Sequence, residues 1–241
     1  MKSNKLPSSP YNHIPLTSDF NNWWYSGRKK ILEYIIKNEG KKEKFSILEI
    51  GPGVGVNIEV LQTYGVVDIL EIDQYFIELI QKNKKLNVRK FFNQFSEITQ
   101  KYDLIVFLDV LEHIEDHQIF LKEISYILNH DGIGIMSVPA YDSLWSEHDK
   151  NLHHFRRYNW SLINEQVDQK FNLYKKFGYN FILLPVRYLQ IKLSKKPHSD
   201  MTLNRYLNSI LKTFVNLEIR FLKLGINPKF GLSLFAVLKK N

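Results

Sequence analysis

Apolar residues recur along this chain with two different periods. Short, largely apolar runs lie at Ile47–Ile50, Val66–Asp73, Tyr102–Val110 and Gly132–Pro139, with a short mixed stretch at Val88–Phe92. Their length and their content of Val, Ile and Phe predict buried strands. Between them, apolar residues three and four apart predict helices. NNWWYSGRKKILEYIIKNEGKKEKF places Ile31, Leu32, Tyr34, Ile35 and Ile36 on one side, with Gly40 as its stop. A second helix is expected directly after Gly55, carrying Val56, Ile58, Val60 and Leu61. QYFIELIQKNKK follows with Asp73 as its N-cap. HQIFLKEISYILNHDG presents Ile119, Phe120, Ile124, Ile127 and Leu128 and is expected to close at Gly132. Strands alternating with helices imply a parallel, doubly wound α/β sheet with right-handed crossovers.

Past residue 160 the pattern predicts a helix over Leu162 to Gln169, a strand over Phe171–Tyr179 and two apolar-basic helical stretches. A last strand covers Leu232–Lys239. Tyr206, Leu207, Ile210, Leu211, Phe214 and Val215 recur at helical spacing, with Arg205, Lys212 and Arg220 elsewhere on the wheel. Such a basic amphipathic helix suits a lid over a site, plain packing, or a membrane surface.

Composition narrows the class. The chain has 241 residues, 44% of them hydrophobic and 14% aromatic, which describes a globular protein with ample core. There is no cysteine, so disulfides, cysteine zinc sites and thiol nucleophiles are excluded. MKSNKLPSSPYNH has no apolar leader pattern, and no apolar run reaches the length of a membrane span. These features fit a cytoplasmic protein. Charge is distributed unevenly. Residues 1–150 carry 17 Lys and Arg against 21 Asp and Glu, net −4, whereas residues 151–241 carry 16 against 4, net +12. The basic part suits a phosphorylated substrate, an anionic membrane surface or nucleic acid, or is a solvated surface with no partner.

The chemistry centres on SILEIGPGVGVNIEVLQ. Gly51, Gly53 and Gly55 follow a strand, where glycine permits a sharp turn and close approach of a ligand. A dinucleotide fingerprint would need its third glycine at position 56, which is Val56. Glu71, about 20 residues after the first glycine, closes the second strand where a ribose-binding acid is expected. Between Trp145 and Tyr158, the loop after the fifth strand gathers His148, Asp149, His153 and His154 with Arg156 and Arg157. Histidine titrates near neutrality and suits a general base. The two arginines suit a phosphate or carboxylate.

E-x-G-x-G-x-G at Glu49–Gly55 resembles motif I of the class I S-adenosylmethionine (SAM)-dependent methyltransferases. YDLIVFLDVLEHIEDHQIFLKEISYILNHDGIGIMSVPA is similar to the fourth-to-fifth-strand region of the same family. WW-x-x-GR at Trp23–Arg28, D-x-L-E-H at Asp109–His113 and L-W-S-x-H-D…H-x-RRY at Leu144–Tyr158 resemble a narrower group. That group is often associated with sugars, surface polysaccharides or lipid-linked intermediates. The resemblance implies a seven-stranded, Rossmann-like doubly wound sheet with an antiparallel last strand. It implies one domain: an N-terminal arm and helix (1–45), a core (46–179), a helical lid insertion (180–229) and the last strand (230–241).

It also implies SAM as cofactor. Glu49, Gly51, Gly53 and Gly55 would pass beneath its methionine part, and Glu71 with Ile72 would meet the ribose. Gln94 stands where adenine is read, although relatives more often have Asp there. Leu108 and Asp109 end the fourth strand, and Arg28 could reach the SAM carboxylate. Trp23 and Trp24 could cover the site or anchor the first helix. His148, Asp149, His153 and His154 are the candidate catalytic groups. The expected acceptor is a small molecule, phosphorylated or lipid-linked, methylated on oxygen or nitrogen. No metal is expected in this reading. Some branches, a quinone-ring O-methyltransferase and a small-RNA 2′-O-methyltransferase among them, bind magnesium through E-x-x-E-H and a later His. Asp109, Glu112 and His113 make the corresponding D-x-x-E-H here, with Asp in place of the first Glu; metal-free relatives also carry L-E-H after the fourth strand, where it serves the backbone or the adenine pocket. RNA as acceptor and a non-catalytic SAM-binding subunit are two competing readings; the chain has no recognisable RNA-binding module.

Overall fold

The structure is a computed structural model that describes residues 22–40, 42–167, 170–193 and 205–241. The expected arm over the first twenty residues lies outside the described residues, as do Gln169 and part of the insertion. Seven strands form one sheet: β1 (Phe45–Ile50), β2 (Gly65–Leu70), β3 (Val88–Phe92), β4 (Tyr102–Leu108), β5 (Leu128–Pro139), β6 (Phe171–Tyr179) and β7 (Ser233–Lys240). Their order is β3-β2-β1-β4-β5-β7-β6. The first five run parallel, and β7 lies antiparallel between β5 and β6. All five parallel strands therefore end at one edge of the sheet, where ligands bind in such folds.

The helices are α1 (Trp23–Glu39), α2 (Ile58–Leu61), α3 (Gln74–Lys82), α4 (His117–Ile127), α5 (Glu147–Asn151), α6 (Trp160–Val167), α7 (Leu184–Leu193) and α8 (Arg205–Lys223). α1 and α8 cover one face of the sheet through Ile31, Leu32, Ile35, Val215, Ile219 and Leu222. α4 and α6 cover the other through Phe120, Leu121, Ile124, Ile163 and Val167. Both faces are buried, which is why the parallel strands read as continuous apolar runs. Asp73 caps α3, its side chain accepting from the Tyr75 N–H at 2.9 Å.

Two expectations are corrected. Gly132 does not stop α4. The helix ends at Ile127, and the chain enters β5 at once, because Leu128 pairs with Tyr102 and a register shift carries the polar Asn129–Asp131 past the β4 edge. The helix after the glycine run is a single turn, which begins only at Ile58. A single turn sums few peptide dipoles, so the positive helix end expected there is weak.

Gly27, in the middle of α1, lets that helix approach β6. A Cβ at this position would strike the Tyr179 hydroxyl, which is buried and without a hydrogen-bond partner. Alanine in a helix interior ordinarily gains about 1 kcal/mol over glycine. Here Gly27→Ala is expected to lower unfolding free energy by about 1–3 kcal/mol in urea denaturation, through overpacking. An increase would show that the contact between α1 and Tyr179 is slack.

Candidate active site

The site begins where β1 ends. Gly51, Gly53 and Gly55 all have positive φ, at 63°, 53° and 80°. A Cβ on Gly51 would meet Val110, and one on Gly55 would meet Leu86 and Ile80. A Cβ on Gly53 would meet nothing within 4 Å, so that side of the turn presents bare backbone. The Gly53 N–H donates to Glu71 Oε2 at 3.3 Å, and the Asp73 N–H donates to Oε1 at 3.0 Å. Glu71 is buried, and that burial pushes its carboxyl pKa upward. Glu49, inside β1, accepts from Asn57 Nδ2 at 2.8 Å on Oε1, while its Oε2 is buried with no partner. Burial raises the Glu49 pKa to about 7. An unpartnered buried carboxylate oxygen is costly unless a donor reaches it.

The remaining residues expected around this edge are spread along it. Ile72 is 84% exposed just beyond β2. Gln94 is exposed after β3, with Nε2 3.4 Å from Glu97 Oε1. The Leu108 side chain is in the core, so only its backbone is on offer. Asp109 has φ 52°; its N–H donates to the Ser137 carbonyl at 2.9 Å, and Ser137 Oγ donates to Oδ1 at 2.8 Å. Its other oxygen is ion-paired with Arg28 of α1. Arg28 also lies 5.3 Å above the Trp24 ring, and Trp23 meets Trp24 edge-on. The Trp23 N–H donates to Asn208 Oδ1 of α8 at 2.8 Å. The Arg28 guanidinium thus serves Asp109, and both tryptophans pack where α1 starts.

The loop after β5 leaves the sheet at Tyr141, whose φ is 57°, and returns at Tyr158, which is bridged to Ala140. Asp149 holds this excursion together. Fully buried, it accepts from Arg157 Nε at 2.7 Å and Nη2 at 3.0 Å, from the Ser146 N–H at 2.9 Å, and bonds His154 Nδ1 at 3.0 Å. Burial alone would raise its pKa. The bonds from His154 and Arg157 and the Arg157 charge outweigh that and hold it well below the usual carboxylate range. The expectation that Asp149 could accept a proton therefore meets a carboxylate whose oxygens are committed to structure. Arg157 also donates to the Ala140 carbonyl at 3.0 Å, and Arg156 donates to the carbonyls of Ile114 and Glu115 at 2.8 and 2.9 Å. Both guanidinium groups brace the protein rather than standing open to a phosphate.

Of the three loop histidines, His148 is exposed on α5 and His153 is exposed with φ 56°. His154 is drawn inward, and its side chain is 7% exposed. It meets His113 edge-on with ring centroids 4.7 Å apart. Glu112, His113 and His154 can each offer a ligand atom, all within 4.8 Å of one another. Asp109 is not part of this group. Glu112 is 1% exposed and its Oε2 has no partner. Burial raises its pKa to about 8. Burial, with the neighbouring His154, lowers that of His113 to about 4, leaving a neutral ring near pH 7.

Beside the loop lies an apolar cavity of about 300 Å³, lined by Tyr141, Ser143 and Leu144 and by Leu184, Pro185 and Tyr188 of α7. Arg187 stands near it, its Nη2 3.5 Å from Ser146 Oγ. Sequence reasoning missed Arg187, Asn57 and Ser137. A lone hydroxyl near the end of an otherwise apolar β5 was a usable signal for Ser137, whereas Arg187 carried none.

The geometry finds its counterparts among known proteins. A family model described as a methyltransferase domain matches residues 14–180. No curated protein sequence matches the chain. Among solved structures, PH0226 from Pyrococcus horikoshii OT3 superposes with a TM-score of 0.63, over 96% of this chain and 98% of that one, at 15% identity. The N-methyltransferase NodS from Bradyrhizobium japonicum WM9, in complex with S-adenosyl-L-homocysteine, gives 0.57 over 94% of both chains at 13% identity. Coclaurine N-methyltransferase, bound to N-methylheliamine and S-adenosylhomocysteine, gives 0.54 over 87% of this chain and 71% of that one, at 16% identity. Identities this low establish the shared fold. Because the family match spans well over half of its residues, the chain belongs to the methyltransferase-domain family, on the class I fold.

Proposed function

We propose that this protein transfers a methyl group from SAM to an oxygen or nitrogen of a small-molecule acceptor with an apolar portion, a sugar or lipid-linked glycan precursor in chemical class. The observation that carries the reading is the bare backbone at Gly53 between two buried carboxylates, Glu71 and the half-satisfied Glu49. Those residues fit SAM. Glu71 would accept from the ribose hydroxyls, and the unpartnered Glu49 Oε2 would accept from the ammonium of the amino-acid end. Bound SAM supplies a methyl group on a sulfonium, open to in-line attack. The chain's task is to hold donor and acceptor at attack distance and to take the acceptor proton. His154 suits that second task, because Asp149 fixes its Nδ1 and directs Nε2 away from the clamp. The cavity between Tyr141 and Tyr188 suits the apolar part of the acceptor.

A second reading rests on the orphaned oxygen of buried Glu112. A divalent cation held by Glu112, His113 and His154 would satisfy it. Both rings are pre-oriented by their other contacts, His154 by Asp149 and His113 by a hydrogen bond to the Leu152 backbone. Such an ion would lower the pKa of an acceptor hydroxyl.

Glu71→Ala is expected to weaken SAM binding by tenfold or more in titration calorimetry, about 1.4 kcal/mol, with the thermal midpoint little changed. Unchanged affinity would remove the ribose assignment. His154→Ala is expected to lower kcat about 10²- to 10⁴-fold while leaving SAM affinity intact. Chelation separates the two readings. Activity that survives EDTA and the Glu112→Gln change assigns His154 as base, whereas activity lost to EDTA and restored by a divalent ion assigns the cation site.

A further inference from the structure

The insertion between β6 and β7 carries more apolar surface outward than its packing uses. None of the ten residues of α7 is buried, and Val186, Leu189 and Leu193 are 53%, 55% and 79% exposed. α8 packs on the core through Val215, Ile219 and Leu222. At about 100° per residue, Tyr206, Ile210 and Leu217 fall within about 40° of one another on the opposite side of that helix. Leu224, just past the helix end, continues the line. These four residues are 82%, 54%, 40% and 76% exposed. An amphipathic helix on a globular protein normally turns polar residues to solvent. Here the outer side of α8 carries an apolar stripe, with exposed Ser209, Thr213 and Asn216 beside it.

Charge completes the pattern. Arg220 borders the outer stripe about 60° from its centre on the α8 wheel, and Arg205, Lys212 and Lys223 follow on the same side, about 120–140° from it. α7 contributes Lys192, whereas its Arg187 turns toward Ser146 of the loop after β5. α7 has no acidic residue, and the single acid of α8, Glu218, is buried and accepts the Asn180 and Ile182 N–H groups at 2.6 and 2.9 Å. An exposed apolar stripe edged by cations, with no acid at the surface, matches an anionic bilayer interface better than a neutral protein partner. Among the described residues no helix is long and apolar enough to cross a membrane. The contact is therefore one of lying on the surface.

We propose that α8 seats the protein on an anionic lipid bilayer. Tyr206, Ile210, Leu217 and Leu224 enter the headgroup–acyl boundary, and Arg205, Lys212, Arg220 and Lys223 meet the lipid phosphates. The cavity lined by Leu184, Pro185 and Tyr188 joins the same insertion to Tyr141, Ser143 and Leu144 of the loop after β5. The docking itself does not depend on the methyl-transfer reading.

The test is flotation of the full chain with phosphatidylcholine vesicles, with and without 30 mol% (roughly one lipid in three) phosphatidylglycerol, a fraction chosen to give a clearly negative surface. Binding to the anionic vesicles is expected to exceed binding to the neutral ones at least tenfold, and to weaken as salt rises. The double change Ile210→Asp with Leu217→Asp is expected to reduce vesicle binding about tenfold, leaving the unfolding midpoint and SAM affinity unchanged. Lys212→Glu with Arg220→Glu should remove the preference for anionic lipid. Four outcomes would overturn the proposal. One is no vesicle binding. Another is a dimer in light scattering that the Ile210 and Leu217 changes dissolve without effect on vesicles. The third is binding to RNA in place of vesicles, and the fourth is vesicle binding gained only on deletion of residues 194–204.

Discussion

Asp149 holds the loop after β5 in shape. Its carboxylate receives the Arg157 guanidinium, the Ser146 N–H and the His154 ring, all without access to water. A buried ion pair of this kind adds little net stability when formed, but leaving one member alone costs about 3–5 kcal/mol. The pair therefore acts as a constraint. While it stands, the excursion from Tyr141 to Tyr158 has one shape, His154 faces His113 and Glu112, and Arg156 ties the loop to the carbonyls after β4. The same ionised group explains why Asp149 itself is a poor proton acceptor. Its low pKa and its structural role have one cause.

The cofactor side is governed by the opposite arrangement. Glu49 and Glu71 are buried carboxylates with less compensation than they need, and both pKa values are raised by burial. Asp103, by contrast, is held at about 2: burial alone would raise it, but bonds from Lys42, Ser46 and Asn129 prevail. Fully bonded carboxylates in this protein brace strands and loops. Under-bonded ones, Glu49 and Glu112 among them, sit in the candidate active site. That contrast separates bracing acids from acids with bonding capacity to spare more sharply than sequence position does.

Much of the sheet was legible in the chain. β3 and β6 are bounded to the residue, each ending on an aromatic just before an asparagine. β5 was read four residues short, since Asn129, His130 and Asp131 are polar and nothing local shows that Leu128 pairs with Tyr102. The glycine run and Glu71 were visible because that chemistry is encoded in spacing along the chain. The loop was visible as a set of titratable residues, but their roles were not. What separates His154 from His148 is a partner five residues upstream and a ring contact with His113, and those depend on how the loop folds back. The pairing of Arg28 with Asp109 is likewise set by where α1 crosses the end of β4.

The two ends of the insertion meet. The Leu232 N–H donates to the Tyr179 carbonyl at 2.8 Å, Gly231 packs directly on the Tyr179 backbone, and Glu218 fastens the exit at Asn180. The hairpin of β6 and β7 is thus closed at the base of the insertion, and the sheet register does not depend on what the excursion contains. Doubling the length of such a loop costs only about 0.6 kcal/mol in closure entropy. The inner face of α8 is fixed by Val215, Ile219 and Leu222 against the core, whereas α7 and the outer face of α8 carry no such duty. Those outer positions can change in sequence while the glycine turn, Glu71 and the Asp149 clamp stay in place.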